Sequence, residues 1–501
     1  MKRILLFIFI LLAVNHVITA QVADSSLVYK KRVLESTEID FLMSLYNQDG
    51  SHSPVNGGIG TEKLVDGTPT IVLSIPLNAN DVLTIDAGIS AYTSASSSNI
   101  NPFWLAPSNY KDASLTNITS ASRGGGGGTV ITTPTGSITP TTYNTIGTPW
   151  LASTGASHSD VLKAVHTDYS HSSDSRNFIW GSNLAYSKEF DYTSYGFGGN
   201  VTKLFNDKNT EIGFKGTAFL DKWKPIYPTE LREYKDYGIN FQSNGYFKGV
   251  KVYNQSGNVS TAYLPSDFKE WDQTGRNSYT LSFFLSQILN QKFQAALFFD
   301  LVIQEGMLST PYQRMYFADK PNYYIGAISD IPNYTSPSNH RVYQLADAIE
   351  RLPTSRFKLP IGARMSYYLN EWFVLKGFYR YYIDDWGLKA HTFNVDLPVR
   401  FSQSFSLTPS FRYYIQNQID YFAPFETHLS TEQYYTSDYD LSKFNSQQYS
   451  LALNYTDIFS KLRIFSLGFK NANLKFSQYI RSDGLTANIF SFGVKFVGNG
   501  K

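Results

Sequence analysis

Cysteine is absent from all 501 residues. That excludes a disulfide framework, thiolate metal sites, a cysteine nucleophile and a lipid-modified N-terminal cysteine. Charge is scarce too, at 17% of residues against about 25% in soluble domains. A basic excess is missing: 43 Lys+Arg face 41 Asp+Glu, a formal charge of +2, so nucleic acid is not expected as a partner. Beyond the N-terminus no run of apolar residues is long enough for a membrane-spanning helix, which needs about 20, and mean hydropathy is −0.25. Neither G-x-S-x-G nor H-E-x-x-H occurs, and no Gly-Lys-Ser/Thr follows the glycine run Gly124–Gly128. No catalytic residue, metal site or cofactor is therefore assigned, and an enzyme is not expected.

Aromatic residues are abundant: Tyr and Phe occur 36 times each, and both favour pleated strands. The first residues have the order of a secretory signal. Lys2 and Arg3 precede an apolar stretch from Ile4 to Val14, and Ile18-Thr19-Ala20 suits cleavage before Gln21. Residues 1–20 are read as signal peptide and 21–36 as a periplasmic N-terminal segment. A short tail, 498–501, follows the last strand.

From residue 37 to 497 the chain alternates with period two. Phe293, Ala295, Leu297, Phe299, Leu301 and Ile303 make one apolar face. Phe357, Leu359, Ile361, Ala363, Met365 and Tyr367 make another, and Phe490, Phe492, Val494 and Phe496 close the chain. Such strands exceed the usual ~5–6 residues of soluble sheets and match the ~9–11 that a tilted strand needs to cross a bilayer. Backbone groups in lipid must all be paired, so the strands must close. The fold expected is all-β: a single transmembrane antiparallel barrel of about sixteen strands. They are placed near 38–47, 68–76, 82–93, 160–172, 178–189, 192–205, 210–221, 277–288, 293–305, 356–368, 373–384, 389–401, 405–417, 446–456, 473–481 and 485–497.

Connections divide into very short turns and long loops near 94–159, 222–276, 306–355 and 418–445, the long ones expected outside the cell. Strict alternation does not put every short turn inside and every long loop outside. An error of at least one strand is therefore expected, with fourteen or eighteen as alternatives. The Gly/Ser/Thr-rich loop 94–159 is expected to be a solvated outer loop, with a plug as the alternative. Loop 222–276 holds Trp223, Tyr227, Tyr234, Phe241 and Phe247, too many aromatics for an unpacked segment. Asp438 and Asp440 are read as solvated acids rather than calcium ligands.

Parity assigns charged side chains to the lumen. Arg356, Lys358, Arg364, Lys376, Arg380, Arg400 and Arg412 form a basic wall, against Asp384 and Asp396. Asp40, Asp86, Asp168, Glu211, Asp221 and Asp300 form an acidic wall, with Lys215 as exception. Two walls of opposite sign would set a transverse field across a water-filled path. The alternative is that the charges pair and fill the barrel. His158, Asp160, His166, Asp168 and His171 are the one cluster with chemical suggestion. His166 and Asp168 share a face, whereas His171 takes the other parity. A hydrogen-bonded lumen histidine is expected there, not a metal centre.

The stretches Gly57-Gly58-Ile59-Gly60-Thr61-Glu62, Ala91-Tyr92-Thr93-Ser94-Ala95-Ser96, Tyr169-Ser170-His171-Ser172-Ser173-Asp174 and Leu204-Phe205-Asn206-Asp207-Lys208-Asn209 resemble the bacterial domain of unknown function 3570 family. Leu308-Ser309-Thr310-Pro311-Tyr312 and Arg481-Ser482-Asp483-Gly484-Leu485 resemble its later parts. The likeness covers nearly all of the mature chain and is to the version in Bacteroidetes-type Gram-negative bacteria. It implies an exported, barrel-like protein, and no activity or catalytic residue. The expectation is an outer-membrane channel or transport component for small polar, anion-preferred solutes. A loop-closed structural or partner-binding barrel in an envelope complex is the alternative, and an outer-membrane hydrolase the third. Outer-membrane lipid, the barrel-assembly machinery and unidentified envelope proteins are the expected partners.

Overall fold

The computed structural model describes residues 32–93, 159–265, 268–272, 274–335, 342–458, 462–464 and 466–498. The signal sequence, residues 21–31 of the N-terminal segment, the glycine run with nearly all of its loop, His158 and the last three residues lie outside the described residues.

Sixteen long strands form one antiparallel barrel. They are β1 (Glu38–Asp49), β2 (Leu64–Pro76), β3 (Asp81–Thr93), β4 (Ser159–Ser172), β5 (Phe178–Lys188), β6 (Tyr192–Phe205), β7 (Thr210–Trp223) and β8 (Gly275–Asn290). The second half is β9 (Phe293–Gly306), β10 (Ser355–Tyr368), β11 (Val374–Asp384), β12 (Lys389–Asp396), β13 (Phe405–Gln416), β14 (Phe444–Thr456), β15 (Leu467–Arg481) and β16 (Thr486–Gly498). Val399–Arg400 continues β12 past Pro398, and Arg463–Ile464 is a short arm at the rim beside β15. Each strand pairs with its sequence neighbours. The ring closes where β1 pairs with β16, Ile39 opposite Phe496 and Gln48 opposite Ala487. A closed ring leaves no free edge, which a lipid environment requires.

Register fixes the faces, since residues directly opposite point the same way. Leu297, Ile303, Ile361, Met365, Phe393, Phe411, Phe476 and Phe490 are all exposed on the outward face. At the short-turn end this face carries an aromatic girdle. Phe405 meets Tyr455 at 4.8 Å, Tyr169 meets Trp180 at 5.4 Å and Phe41 meets Phe496 at 6.0 Å between ring centroids. Aromatic girdles at the rims are a feature of outer-membrane barrels.

The expected strand error does not exist: all sixteen expected strands are present, and the count is sixteen. Loop length and side are simply not tied one to one. Glu189–Asp191, Asp385–Leu388 and Ser482–Leu485 are short connections at the long-loop end, while the turn after β14 is a longer one at the opposite end. Boundaries do shift. β2 begins at Leu64 and β15 at Leu467, the latter with a register break between Phe469 and Asn471. β16 runs one residue into the expected tail.

The described residues of the long loops 222–276, 306–355 and 418–445 fold together into a cap at one end of the barrel. Helix α1 (Thr229–Tyr237) starts after Pro228 and ends at Gly238, whose φ is +57°. Glu230 in its first turn and Lys235 in its last complement the helix dipole. A small sheet joins Tyr323–Gly326 to Val342–Gln344 and Tyr253–Asn254. Phe241, Phe247, Val252, Tyr263, Ile325 and Leu345 form one buried core, and Trp386, Leu388, Ile419 and Phe422 form another. The β1–β2 connection joins in: Arg314 Nη1 donates to the Val55 carbonyl at 3.4 Å, and His52 stacks on Tyr439 at 3.9 Å. The aromatics of loop 222–276 are thus packed, as their number demanded.

Candidate functional site

The candidate site is the inward face of the barrel. Register places every sequence-derived wall residue on it, at different heights and with different partners. At the capped end, Arg356 pairs with Asp384 through Nε at 2.8 Å, and Lys358 stands directly opposite Asp384. Asp384 is buried and also takes the Tyr382 hydroxyl at 2.8 Å. Arg356 lies over the Trp386 ring at 4.3 Å. Asp221 is buried 3.6 Å from Arg276, an inward-facing base that the sequence reading missed because the expected strand began at 277, one residue after it. These residues belong to local clusters and not to an open wall.

At the short-turn end Lys495 meets Glu38 at 2.9 Å and Asp40 at 3.2 Å, across the seam that closes the ring. Lys470 also pairs with Glu38. Arg400 is exposed near that rim, opposite Ser406. Glu211 is opposite Leu204, close to the same end.

The middle of the barrel is different. Arg364, Lys376, Arg380 and Arg412 make no ion pair among the described residues. Lys376 is opposite Asp396, which accepts from Asn394 at 3.0 Å. Two adjacent rows run across the wall: Arg364, Phe378, Asn394 and Arg412, then Gly362, Arg380, Thr392 and Tyr414. Arg364 lies over the rings of Phe298 and Phe378, at 5.2 Å and 5.6 Å.

Asp86, directly opposite His166, is on β3, and Asp168 is on β4. These staves stand eight positions round the ring from β11 and β12, so acid and base face each other across the diameter. His166 Nδ1 is 3.2 Å from Asp168, and their side chains are 39% and 45% exposed. Asp300 departs from this arrangement: it is inward on β9, beside the basic arc. His171 points outward, bonds Asp81 at 2.5 Å and belongs to the aromatic girdle. Among the described residues no group of three metal-binding side chains gathers.

Inward phenylalanines do not stand out into this space. Phe284 lies over Gly213, where an added Cβ would come within 2.0 Å of its ring, and Phe298 lies over Gly362, with 2.3 Å to the ring. A ring on the wall needs a neighbour without a side chain, which explains these two glycines. Gly213→Ala and Gly362→Ala should each push a ring inward and cost about 1–3 kcal/mol from overpacking. The expected result is a lower thermal midpoint and a smaller single-channel conductance in a still-folded barrel. Unchanged conductance in both variants would separate the rings from any open path.

The cap reaches the mouth from above. Gln416 donates to the carbonyls of Asp440 and Ser442, and Arg481 pairs with Asp440 and Asp483. Asp438, expected to be a solvated acid, is instead half-buried within the cap. Its Oδ1 accepts from the Asp440 backbone N–H at 2.9 Å, and burial and the charge of Asp440 raise its pKa to about 7. Glu350 is buried nearby, accepts from Thr310 N at 2.6 Å and from the Thr436 hydroxyl at 2.5 Å, and is raised to about 8.

The chain belongs to the family described as Protein of unknown function (DUF3570), whose model matches residues 12–471. Among solved structures it is similar to a bacterial polysaccharide outer membrane secretin at 10% identity, over 93% of this chain and 99% of that one, with a TM-score of 0.38. It is similar to OpdK of Pseudomonas aeruginosa, solved with vanillate, at 6% identity over 93% and 99%, TM-score 0.35. A BenF-like porin of Pseudomonas fluorescens follows at 8% identity over 92% and 98%, TM-score 0.36. No curated protein matches the chain.

Proposed function

We propose that this member of the DUF3570 family is an outer-membrane channel that passes small polar solutes and prefers anions. The observation that carries the reading is the middle of the barrel. There His166 and Asp168 keep 39% and 45% of their side chains accessible, while Arg364 and Arg412 are exposed on the far wall. A filled barrel would bury these groups against partners, because an unpaired charge in a dry interior is costly. Bases facing acids across an aqueous gap orient a passing solute by its dipole and raise the local concentration of one sign. In this reading the protein has no catalytic step, and the lipid around its apolar face is its main partner.

The cap supports a second reading, a barrel closed by its loops that serves as a docking platform in the envelope. Four connections from separated parts of the ring pack into it, and it bonds to the wall at Gln416 and Arg481.

Single-channel recording of the folded protein in a planar bilayer under a salt gradient separates the two. Steady conductance with an anion-selective reversal potential is expected. The double variant Arg380→Glu with Arg412→Glu should move that potential toward cation selectivity. Silence in the parent protein favours the closed platform. An unmoved potential in the double variant would sink the role of the basic wall.

A further inference from the structure

The chemistry of the middle rows is specific enough to name a ligand class. Arg380 stands on β11 between the staves of Arg364 and Arg412. Its cross-strand partners are Gly362 and Thr392, so neither neighbour offers it a carboxylate. Its Nε is buried and has no hydrogen-bond partner. Arg364 stands diagonally beside it, one row away, at a separation of about 7–8 Å between backbones. Arg412 lies in the row of Arg364, beyond Phe378 and Asn394. Three arginines thus stand on the inward face within two adjacent rows, none in an ion pair among the described residues, and the nearest acid by register, Asp396, lies one row beyond Arg412.

The floor of the patch is apolar. Phe298 and Phe378 lie 5.8 Å apart with their planes 18° from parallel, and the Arg364 guanidinium stands over one side of the pair, 5.2 Å and 5.6 Å from the ring centroids. Phe298 is held there because Gly362 leaves room beneath it. Arginine is the side chain suited to planar two-oxygen acceptors, through paired N–H donors. A buried donor without an acceptor favours a ligand that supplies one.

We infer that Arg364, Arg380 and Arg412 form a mid-barrel binding site for a small organic monocarboxylate with an apolar body, the carboxylate on Arg380 and Arg412 and the body along Phe298 and Phe378. This site rests on the channel reading for its access from water, but not on conduction for its detection. Inorganic anions meet the guanidiniums and gain nothing from the rings. Short hydrophilic acids meet the same limit.

The test is calorimetric titration of the full-length, detergent-folded protein with hexanoate, with acetate as the acid that lacks an apolar body. Saturable binding of one hexanoate per chain is expected, with acetate at least about tenfold weaker, since each buried CH₂ adds to affinity. Arg380→Gln should weaken hexanoate by about tenfold or more, the loss of a charge-assisted hydrogen bond. Arg412→Gln, at an exposed position, should do the same, and it keeps the test decisive if the first variant fails to fold. Lys475→Gln removes an inward base elsewhere on the ring and should leave affinity unchanged. Equal weakening by Lys475→Gln, equal affinity for acetate and hexanoate, or full affinity in Arg412→Gln would each overturn the site. Conductance recorded on the same preparation keeps the two claims apart. Binding without conductance retains the site and removes the channel, and conductance without binding does the reverse.

Discussion

Arg314→Met should unfasten the cap while leaving the barrel intact. Arg314 and Glu230 are fully buried, with Nε to Oε1 at 2.7 Å and Nη2 to Oε2 at 3.3 Å. Arg314 also reaches the Val55 carbonyl, so one side chain joins three loops: the β1–β2 connection, α1 and the β9–β10 connection. Removing the cation leaves a fully buried carboxylate without its partner, which costs about 3–5 kcal/mol. The cap's own cores are small, and a loss of that size is comparable to the whole stability of a small unit. The barrel is held by its closed ladder of backbone bonds and does not depend on this pair. Protease should therefore cut the variant within 224–274 and 307–354, where the parent resists. Heat-dependent electrophoretic migration should still report a folded barrel. Where the cap restricts the mouth, conductance should rise. The double variant Arg314→Met with Glu230→Leu removes both charges and should regain much of the protease resistance, because replacing a buried pair by apolar side chains is often close to neutral. Resistance retained in Arg314→Met alone would show that the pair does not fasten the cap.

The barrel was legible because a membrane strand writes its position twice, once in the lipid-facing apolar residues and again in the polar ones between them. Ala363, Met365 and Tyr367 alternate with Arg364, Ser366 and Tyr368, and parity alone gives the face of each. Where that pattern breaks, the boundaries slipped. Asp66-Gly67 interrupts the outer end of β2. In β15 the polar run at Asn471 and Asn473 and the nearby register break hide its first residues. The pairing of wall residues was not legible, because parity gives a face and not a height. Arg356 and Arg380 share a face, yet Arg356 sits beside Asp384 near the mouth and Arg380 sits opposite Gly362 and Thr392.

The cap was the least legible part. Its contacts join residues far apart in the chain, such as Val55 with Arg314 and Gln313 with Asp438, and no local period announces them. Asp438 shows the consequence. In sequence it is an acid in a polar loop, which reads as solvated. In the fold it is half-buried, Gln313 of the β9–β10 connection reaches it at 3.5 Å, and its carboxylate caps the short helix at Tyr439–Leu441.

That burial makes the cap sensitive to alkali. Glu350 moves from the ordinary glutamate value of 4.5 to about 8 and Asp438 from 3.8 to about 7, both chiefly because burial disfavours the charged form. Each also feels negative charge: Glu350 from Asp438, and Asp438 from Asp440, with Arg481 opposing in the second case. In the unfolded cap both acids ionise near pH 4. In the folded cap they stay protonated to far higher pH. Their contribution is therefore fully present below about pH 4 and declines as pH rises, until both ionise in the folded state near pH 7–8. A tenfold change in proton affinity corresponds to about 1.4 kcal/mol, so the two together weaken the cap by several kcal/mol between acid and mildly alkaline solution. Protease resistance of the cap should accordingly be greatest near pH 4, fall progressively as pH rises from there, and level off above about pH 8. Glu350→Gln keeps an acceptor for the Thr310 N–H and exchanges the acceptor facing Thr436 for an amide N–H that the hydroxyl oxygen can take, without a titrating proton. It should flatten the upper part of that pH profile and leave the cap more resistant than the parent at pH 8. Asp438→Asn keeps the acceptor for the Asp440 N–H and should flatten the part nearer neutrality. A parent profile that is level from pH 5 to 8, or one that Glu350→Gln leaves unaltered, would exclude Glu350 as the titrating group.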